Sequence, residues 1–174
     1  MTLRTTFCAA AFTLACWAAA QSECGDYWKN APRSSDARFS VNGQSKGASV
    51  QVGVPTELNI IIYKGQDYRI SFVYDEKVIG DHIVARLIEK VREPKQKAAG
   101  DSAKAVLSDT RKVIWDNQDH EMADAVEFTA TATKRIAIEV TAPGVPDGKD
   151  GPQANDIGCV GILIEHMPTP AVGF

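Results

Sequence analysis

The chain reads as an all-β protein, an antiparallel β-sandwich of jelly-roll type with about eight strands. Three observations predict this fold. Short stretches of alternating β-branched and aromatic residues recur along the chain, separated by Gly, Pro, Asn and Asp. Strand patterns do not alternate with helical ones, which excludes a parallel βαβ architecture. Two cysteines, Cys24 and Cys159, flank the strand-rich region and are expected to form one disulfide.

The first 20 residues read as a leader rather than as part of the fold. Arg4 supplies a positive start, Phe7 to Trp17 is a short apolar run, and Ala18-Ala19-Ala20 is a small-residue cleavage site. That is the pattern of a secretory signal peptide, too short and wrongly flanked for a membrane span. Cleavage after Ala20 would leave Gln21 first and place a single domain, residues 21–174, in the periplasm or outside the cell. Lipoprotein processing at Cys16 is the rival reading, but Thr13-Leu14-Ala15 lacks the aliphatic residue expected three positions before the cysteine. No other apolar run is long enough for a transmembrane segment.

The whole chain carries 19 Lys+Arg against 22 Asp+Glu. Arg4 is the single charged residue of the leader, so the remaining domain has a net charge of −4. This mild acidity, with no basic block, excludes nucleic acid as the expected partner. Of four cysteines, Cys8 and Cys16 leave with the leader. A redox-active pair would need close spacing such as C-x-x-C, which Cys24 and Cys159 lack, so the bond is read as structural. Closing so long a loop gives a stabilisation of up to about 5 kcal/mol in the chain-entropy model.

Taken in order, residues 21–47 are polar and broken, with Tyr27 and Trp28 expected to cover one end of the core. Ala48 to Val54 alternates, with Val50, Val52 and Val54 inward, until Pro55 ends it. Leu58 to Tyr74 reads as a β-hairpin: two strand-forming runs around Lys64-Gly65-Gln66-Asp67. In its second run Tyr68, Ile70, Phe72 and Tyr74 share one face, and Arg69 and Ser71 the other. A polar connection around Val78-Ile79 leads to a strand at Ile83–Glu89. Residues 91–111, rich in Lys and Ala, break the rhythm and read as an extended hairpin insertion, with or without a helical turn, or as a disordered loop. Val113-Ile114-Trp115 is a short strand, followed by strands at Ala125–Ala130, Arg135–Val140 and Cys159–Glu165. A Pro/Gly-rich loop spans 142–158, and the tail from His166 is read as irregular. Tyr68, Ile70, Phe72, Val126, Phe128, Ile136, Ile138, Val160, Ile162 and Ile164 are the predicted core.

The succession of Lys64-Gly65-Gln66-Asp67-Tyr68-Arg69-Ile70, Val84-Ala85-Arg86-Leu87, Val113-Ile114-Trp115-Asp116-Asn117, Phe128-Thr129-Ala130 and Arg135-Ile136-Ala137-Ile138-Glu139-Val140 resembles the bacterial pre-peptidase C-terminal type of β-sandwich module. It is also similar to uncharacterised exported Bacteroidetes-like β-sandwich proteins. The resemblance covers residues 48–165, departing at the 91–111 insertion and the Cys159-Val160-Gly161-Ile162 closing segment. It implies a non-catalytic, accessory or binding role and carries over no catalytic residue.

The motifs agree with that implication. There is no G-x-S-x-G, and His120-Glu121 is not continued as H-E-x-x-H. His82, His120 and His166 lie in separate polar segments. Zinc lacks ligands at suitable spacing. Calcium needs only clustered oxygens, and Asp116, Asn117, Asp119 and Glu121, with Asp124 beyond, are the candidate ligands. A second acidic stretch, Asp147-Gly148-Lys149-Asp150-Gly151 with Asn155-Asp156, carries a lysine in its middle. Trp28, Tyr63, Tyr74 and Trp115 are candidates for stacking on sugar rings. The expectation is an exported, non-catalytic protein with a binding, adhesion or envelope-structural role and a protein or glycan partner. The alternatives are a calcium-stabilised accessory module of an exported enzyme, a small hydrolase without a familiar motif, and self-assembly through an uncovered sheet edge.

Overall fold

The computed structural model describes residues 24–94, 107–145 and 156–170. The leader at 1–20 with Cys16, the middle of the 91–111 insertion and most of the second acidic stretch lie outside the described residues.

Nine strands are formed: β1 (Ser40–Val41), β2 (Lys46–Gln51), β3 (Thr56–Ile62), β4 (Gln66–Tyr74), β5 (Val84–Pro94), β6 (Leu107–Asp116), β7 (Ala125–Thr129), β8 (Lys134–Thr141) and β9 (Ile157–Pro168). One sheet runs β2-β9-β4-β7, with β1 also paired to β9, and the other runs β3-β8-β5-β6. All strand pairs are antiparallel. The pairing is nested: β2 with β9, β3 with β8, β4 with β7, and β5 with β6. That is the rolled-up double hairpin of a jelly roll, in which the sheet partners come from opposite ends of the chain.

Apart from β1 and the start of β2, which lie in the stretch read as broken, and the extension of β6 back to Leu107, the strands are where the alternation places them. Tyr68, Ile70, Phe72, Ile136, Ile138, Val160, Ile162 and Ile164 are all buried in one cluster, with Val126 and Phe128 packed against it. Two expectations are corrected. The hairpin over 58–74 is a corner between sheets: β3 pairs with β8 and β4 with β9 and β7, not with each other. Ile60 and Ile62 therefore oppose the core from one sheet, and Tyr68, Ile70 and Phe72 from the other. The corner turns at Gly65, whose φ of +77° suits glycine, and is tied by Gly65 N donating to Ala130 O and Tyr63 N donating to the Tyr68 hydroxyl. Val54 faces solvent at 44% exposure, because β2 stops at Gln51 and Gly53, with φ +75°, swings the chain away.

Smaller differences follow from packing. The tail is not irregular from His166, since β9 continues to Pro168 alongside Gln66 of β4. The connection after β4 holds a one-turn helix, α1 (Glu76–Ile79), capped by the Asp75 carboxylate accepting from Lys77 N, with Ile79 buried. β5 and β6 pair as far as Pro94 opposite Leu107, whereas β8 accompanies β5 only up to Glu89. From Lys90 onward the two strands thus continue as a two-stranded ribbon.

The outer faces of the two sheets differ. The β3-β8-β5-β6 sheet carries a lattice of ion pairs. Glu57 meets Lys90 and Arg111, Arg111 also meets Glu139 at 2.7 Å, and Arg86 meets Asp116 at 2.6 Å. The other sheet is covered by the N-terminal segment. A 3-10 turn at Tyr27–Asn30 lies on it, next to the disulfide Cys24–Cys159, whose Cα atoms are 5.1 Å apart. Tyr27 and Trp28 thus lie on the outside of this sheet, half-buried against Gly161 of β9, rather than capping the core. Under the same segment, Arg69 and Glu165 form a 3.1 Å ion pair, with Glu165 only 2% exposed.

Candidate functional site

The expected calcium ligands do not converge. Asp116 closes β6, and its carboxylate accepts from Gln118 N at 3.0 Å and from Arg86 at 2.6 Å. Burial would push its pKa up, but the Arg86 hydrogen bond, the Gln118 amide and the Arg86 charge hold it below the ordinary carboxylate value. Asn117 is buried and serves the backbone: Oδ1 accepts from Ala85 N at 2.9 Å and Nδ2 donates to Ile83 O at 2.8 Å. Asp119 and Glu121 are exposed, Glu121 in the left-handed region at φ 53°. Asp124 lies beside Tyr74, 3.2 Å from its hydroxyl. Among the described residues no three His, Cys, Asp or Glu side chains group so as to hold a metal ion. Asp and Asn in this turn do what those residues do in turns, capping and bridging backbone amides.

The aromatic candidates are dispersed. Trp28 carries Lys29 above its ring, Tyr74 is half-buried with its hydroxyl near Asp81 O and Asp124, and Tyr63 is 53% exposed at the corner between sheets. Trp115 stacks on Phe72 and on His120, at centroid distances of 6.4 and 5.8 Å. Its indole is engaged by the protein's own rings, which removes the free face a sugar would need.

The histidines make local contacts. His82 Nδ1 lies 2.6 Å from Asp81 Oδ1, His120 stacks on Trp115, and Asn42 Nδ2 donates to His166 Nδ1 at 3.2 Å. None of these contacts brings a Ser, Thr or Cys side chain to an imidazole.

What the fold does assemble is a cleft between two sheet edges. β6 ends the second sheet and β7 ends the first, on the same side of the sandwich. Between them lies a space of about 250 Å³ lined by Ile114, Trp115, Val126, Phe128, Thr129 and Lys134, among others. The edge of β6 is irregular here. Leu87 pairs with Trp115 and Ile88 with Val113, so Ile114 is an extra, bulged residue. Ile114, which lines the cleft, is 40% exposed; its neighbour Val113, paired with Ile88, is 49% exposed. On the facing edge Val126 and Phe128 are only half-buried. The charges at the rim are already paired: Lys134 with Glu89 at 2.7 Å, and Glu127 with Arg69 at 3.3 Å. What remains is apolar surface bordered by edge-strand backbone, which is able to pair with another strand.

The sequence assigned Val126, Phe128 and Trp115 to strands and two of them to the core, but it did not place them at a common edge. Ile114 was legible only as a strand residue, since a bulge leaves no mark on local alternation. No protein-family model matches the chain, and no curated protein matches it.

Proposed function

We propose that the protein is an exported, non-catalytic binding module that holds an extended segment of a partner protein at the β6–β7 edge. The observation that carries this reading is the cleft of about 250 Å³ bounded by two edge strands and lined by Ile114, Trp115, Val126 and Phe128. An added strand would satisfy edge amides and carbonyls, while its alternate side chains enter the cleft. A protein partner is favoured over a glycan because Trp115 already stacks on Phe72 and His120. Residence outside the cytoplasm is supported by the leader pattern at 1–20 and by the Cys24–Cys159 pair. The resemblance to pre-peptidase C-terminal-type modules points in the same direction. No helix among the described residues is long and apolar enough to cross a membrane.

The test is a library of 12-residue peptides of alternating apolar and polar pattern, titrated into the disulfide-bonded chain. Amide shifts should concentrate on residues 110–116 and 125–129, and Ile114→Asp, at an exposed bulge, should weaken binding with little change in melting. Phe128→Ala, which removes a ring stacked on Tyr68, should weaken binding and lower the melting temperature as well. Binding that maps elsewhere, or is unaffected by Phe128→Ala and Ile114→Asp, would refute the reading.

A further inference from the structure

The opposite side of the sandwich is also open, and its chemistry differs. β2 and β3 are the edge strands there, and between them lies a slot of about 160 Å³. Along β2, Lys46 and Ala48 share the face of buried Val50, while Gly47 on the other face is packed against Cys24 O. Lys46 and Ala48 therefore point toward the interior and yet are exposed, because the sheets do not close over them. The floor is purely aliphatic: Leu58, Val140, Val160 and Ile162. Natural interiors leave few apolar voids of this size. An apolar cavity of about 150 Å³ is known to take a six-carbon ring such as benzene.

The mouth carries an uncompensated cation. Glu57 lines it, but its carboxylate is engaged by Lys90 and Asn59 at Oε1 and by Arg111 at Oε2, 2.7 Å away, and its negative charge is shared by those two cations rather than paired with Lys46. Lys46, on one wall, has no ion-pair partner among the described residues. On the other wall the Thr56 hydroxyl offers a second donor. An ammonium and a hydroxyl at the mouth of an aliphatic slot are complementary to a carboxylate bearing an apolar body.

We propose that this slot binds a free aliphatic monocarboxylate of about six to eight carbons, chain inward and carboxylate between Lys46 and Thr56. This is a small-molecule site, separate from the β6–β7 cleft and independent of what that cleft binds.

The experiment is calorimetric titration of the disulfide-bonded chain with butanoate, hexanoate, octanoate and dodecanoate, with hexanol as the uncharged control and amide shifts to locate binding. Affinity should rise about fourfold for each methylene until the slot is full, then level off between hexanoate and octanoate. Hexanol should bind about tenfold more weakly than hexanoate, and Lys46→Gln should reduce hexanoate to the hexanol level. Ala48→Leu, at an exposed position of an edge strand, should fill the slot and abolish binding while leaving melting and peptide binding at β6–β7 intact. No saturable binding of octanoate, or affinity still climbing steeply to dodecanoate, would overturn the proposal. So would shifts away from β2 and β3, or wild-type binding by Lys46→Gln and Ala48→Leu. A preference for anionic lipid vesicles over free octanoate would equally overturn it, by assigning the slot to a membrane-borne acyl chain.

Discussion

Gly47 of β2 and Gly161 of β9 are direct cross-strand partners, and the N-terminal segment lies in the trough that the two missing side chains leave. A Cβ on Gly47 would stand 1.8 Å from Cys24 O, and one on Gly161 would stand 2.4 Å from Trp28 N. Those neighbours are backbone atoms, held by the disulfide and by Tyr27 N donating to Cys24 O at 3.1 Å, so they have little room to give.

Gly161→Ala should therefore destabilise the fold by about 1–3 kcal/mol, and Gly47→Ala by the upper part of that range. Urea unfolding provides the measurement. In a Cys24→Ser/Cys159→Ser background the turn is free to lift, and the glycine penalty should shrink by about 1 kcal/mol in a double-mutant cycle. Equal penalties in the two backgrounds would show that the turn is held without the bond.

The same segment seals a buried ion pair. Arg69 is 14% and Glu165 3% exposed in their side chains, and Glu165 also accepts from Ser34 N at 2.9 Å while Arg69 donates to Pro32 O at 2.8 Å. Arg69→Met strands the Glu165 carboxylate and should cost about 3–5 kcal/mol. Pairing it with Glu165→Leu should recover more than half of that loss, because two apolar residues leave no unpaired charge. A double variant as unstable as Arg69→Met would mean that the Ser34 and Pro32 contacts, not charge balance, dominate.

Glu57 gives the acid limb of stability a defined contributor. Its hydrogen bond from Lys90, then that from Arg111, holds its pKa below the ordinary 4.5 against the opposing effect of burial. A carboxylate depressed in the folded state stabilises fully above the unfolded pKa, and that contribution is lost as pH falls through the folded value. The stability difference between wild type and Glu57→Gln should be constant near neutrality and shrink below about pH 4.5. Denaturant unfolding across that range reads it directly. A difference that grows on acidification would contradict the assignment.

Tyr74 acts at the other end of the scale. Burial, then the charge and hydrogen bond of Asp124, push its pKa from 10.0 to about 12. A proton held more tightly by the folded state stabilises fully below the unfolded pKa and loses that effect as pH rises through the folded one. Wild-type stability should thus fall between pH 10 and about 12, and Tyr74→Phe should flatten that part of the decline. Tyrosinate absorbance should show a late-titrating component near pH 12 in the wild type that Tyr74→Phe removes.

The alternation of side chains was enough to locate the strands and their inner faces. Val50, Tyr68, Ile70, Phe72, Ile136 and Ile138 are buried where a period of two puts them. The pairing of Cys24 with Cys159 followed from counting cysteines. Both are local or compositional properties, readable without knowing which strand lies beside which.

Tertiary structure decided the rest. Leu58–Tyr74 has the same alternation whether it folds back as a hairpin or crosses the core as a corner, and only the pairing of β3 with β8 and β4 with β9 distinguishes them. Arg69 and Ser71 stand on the face of β4 opposite the core, yet a segment far upstream covers them, with Ser34 bonded to Glu165 across 131 residues of sequence. The acidic turn at 116–124 read as an ion site, but Asp116 and Asn117 have their side chains committed to Arg86 and to the backbone of β5 and its approach. The two open edges exist because nested pairing leaves β2 and β3 last on one side and β6 and β7 last on the other. Local sequence sets which way a side chain points. What it meets there depends on contacts between residues remote in the chain, and those belong to the fold as a whole.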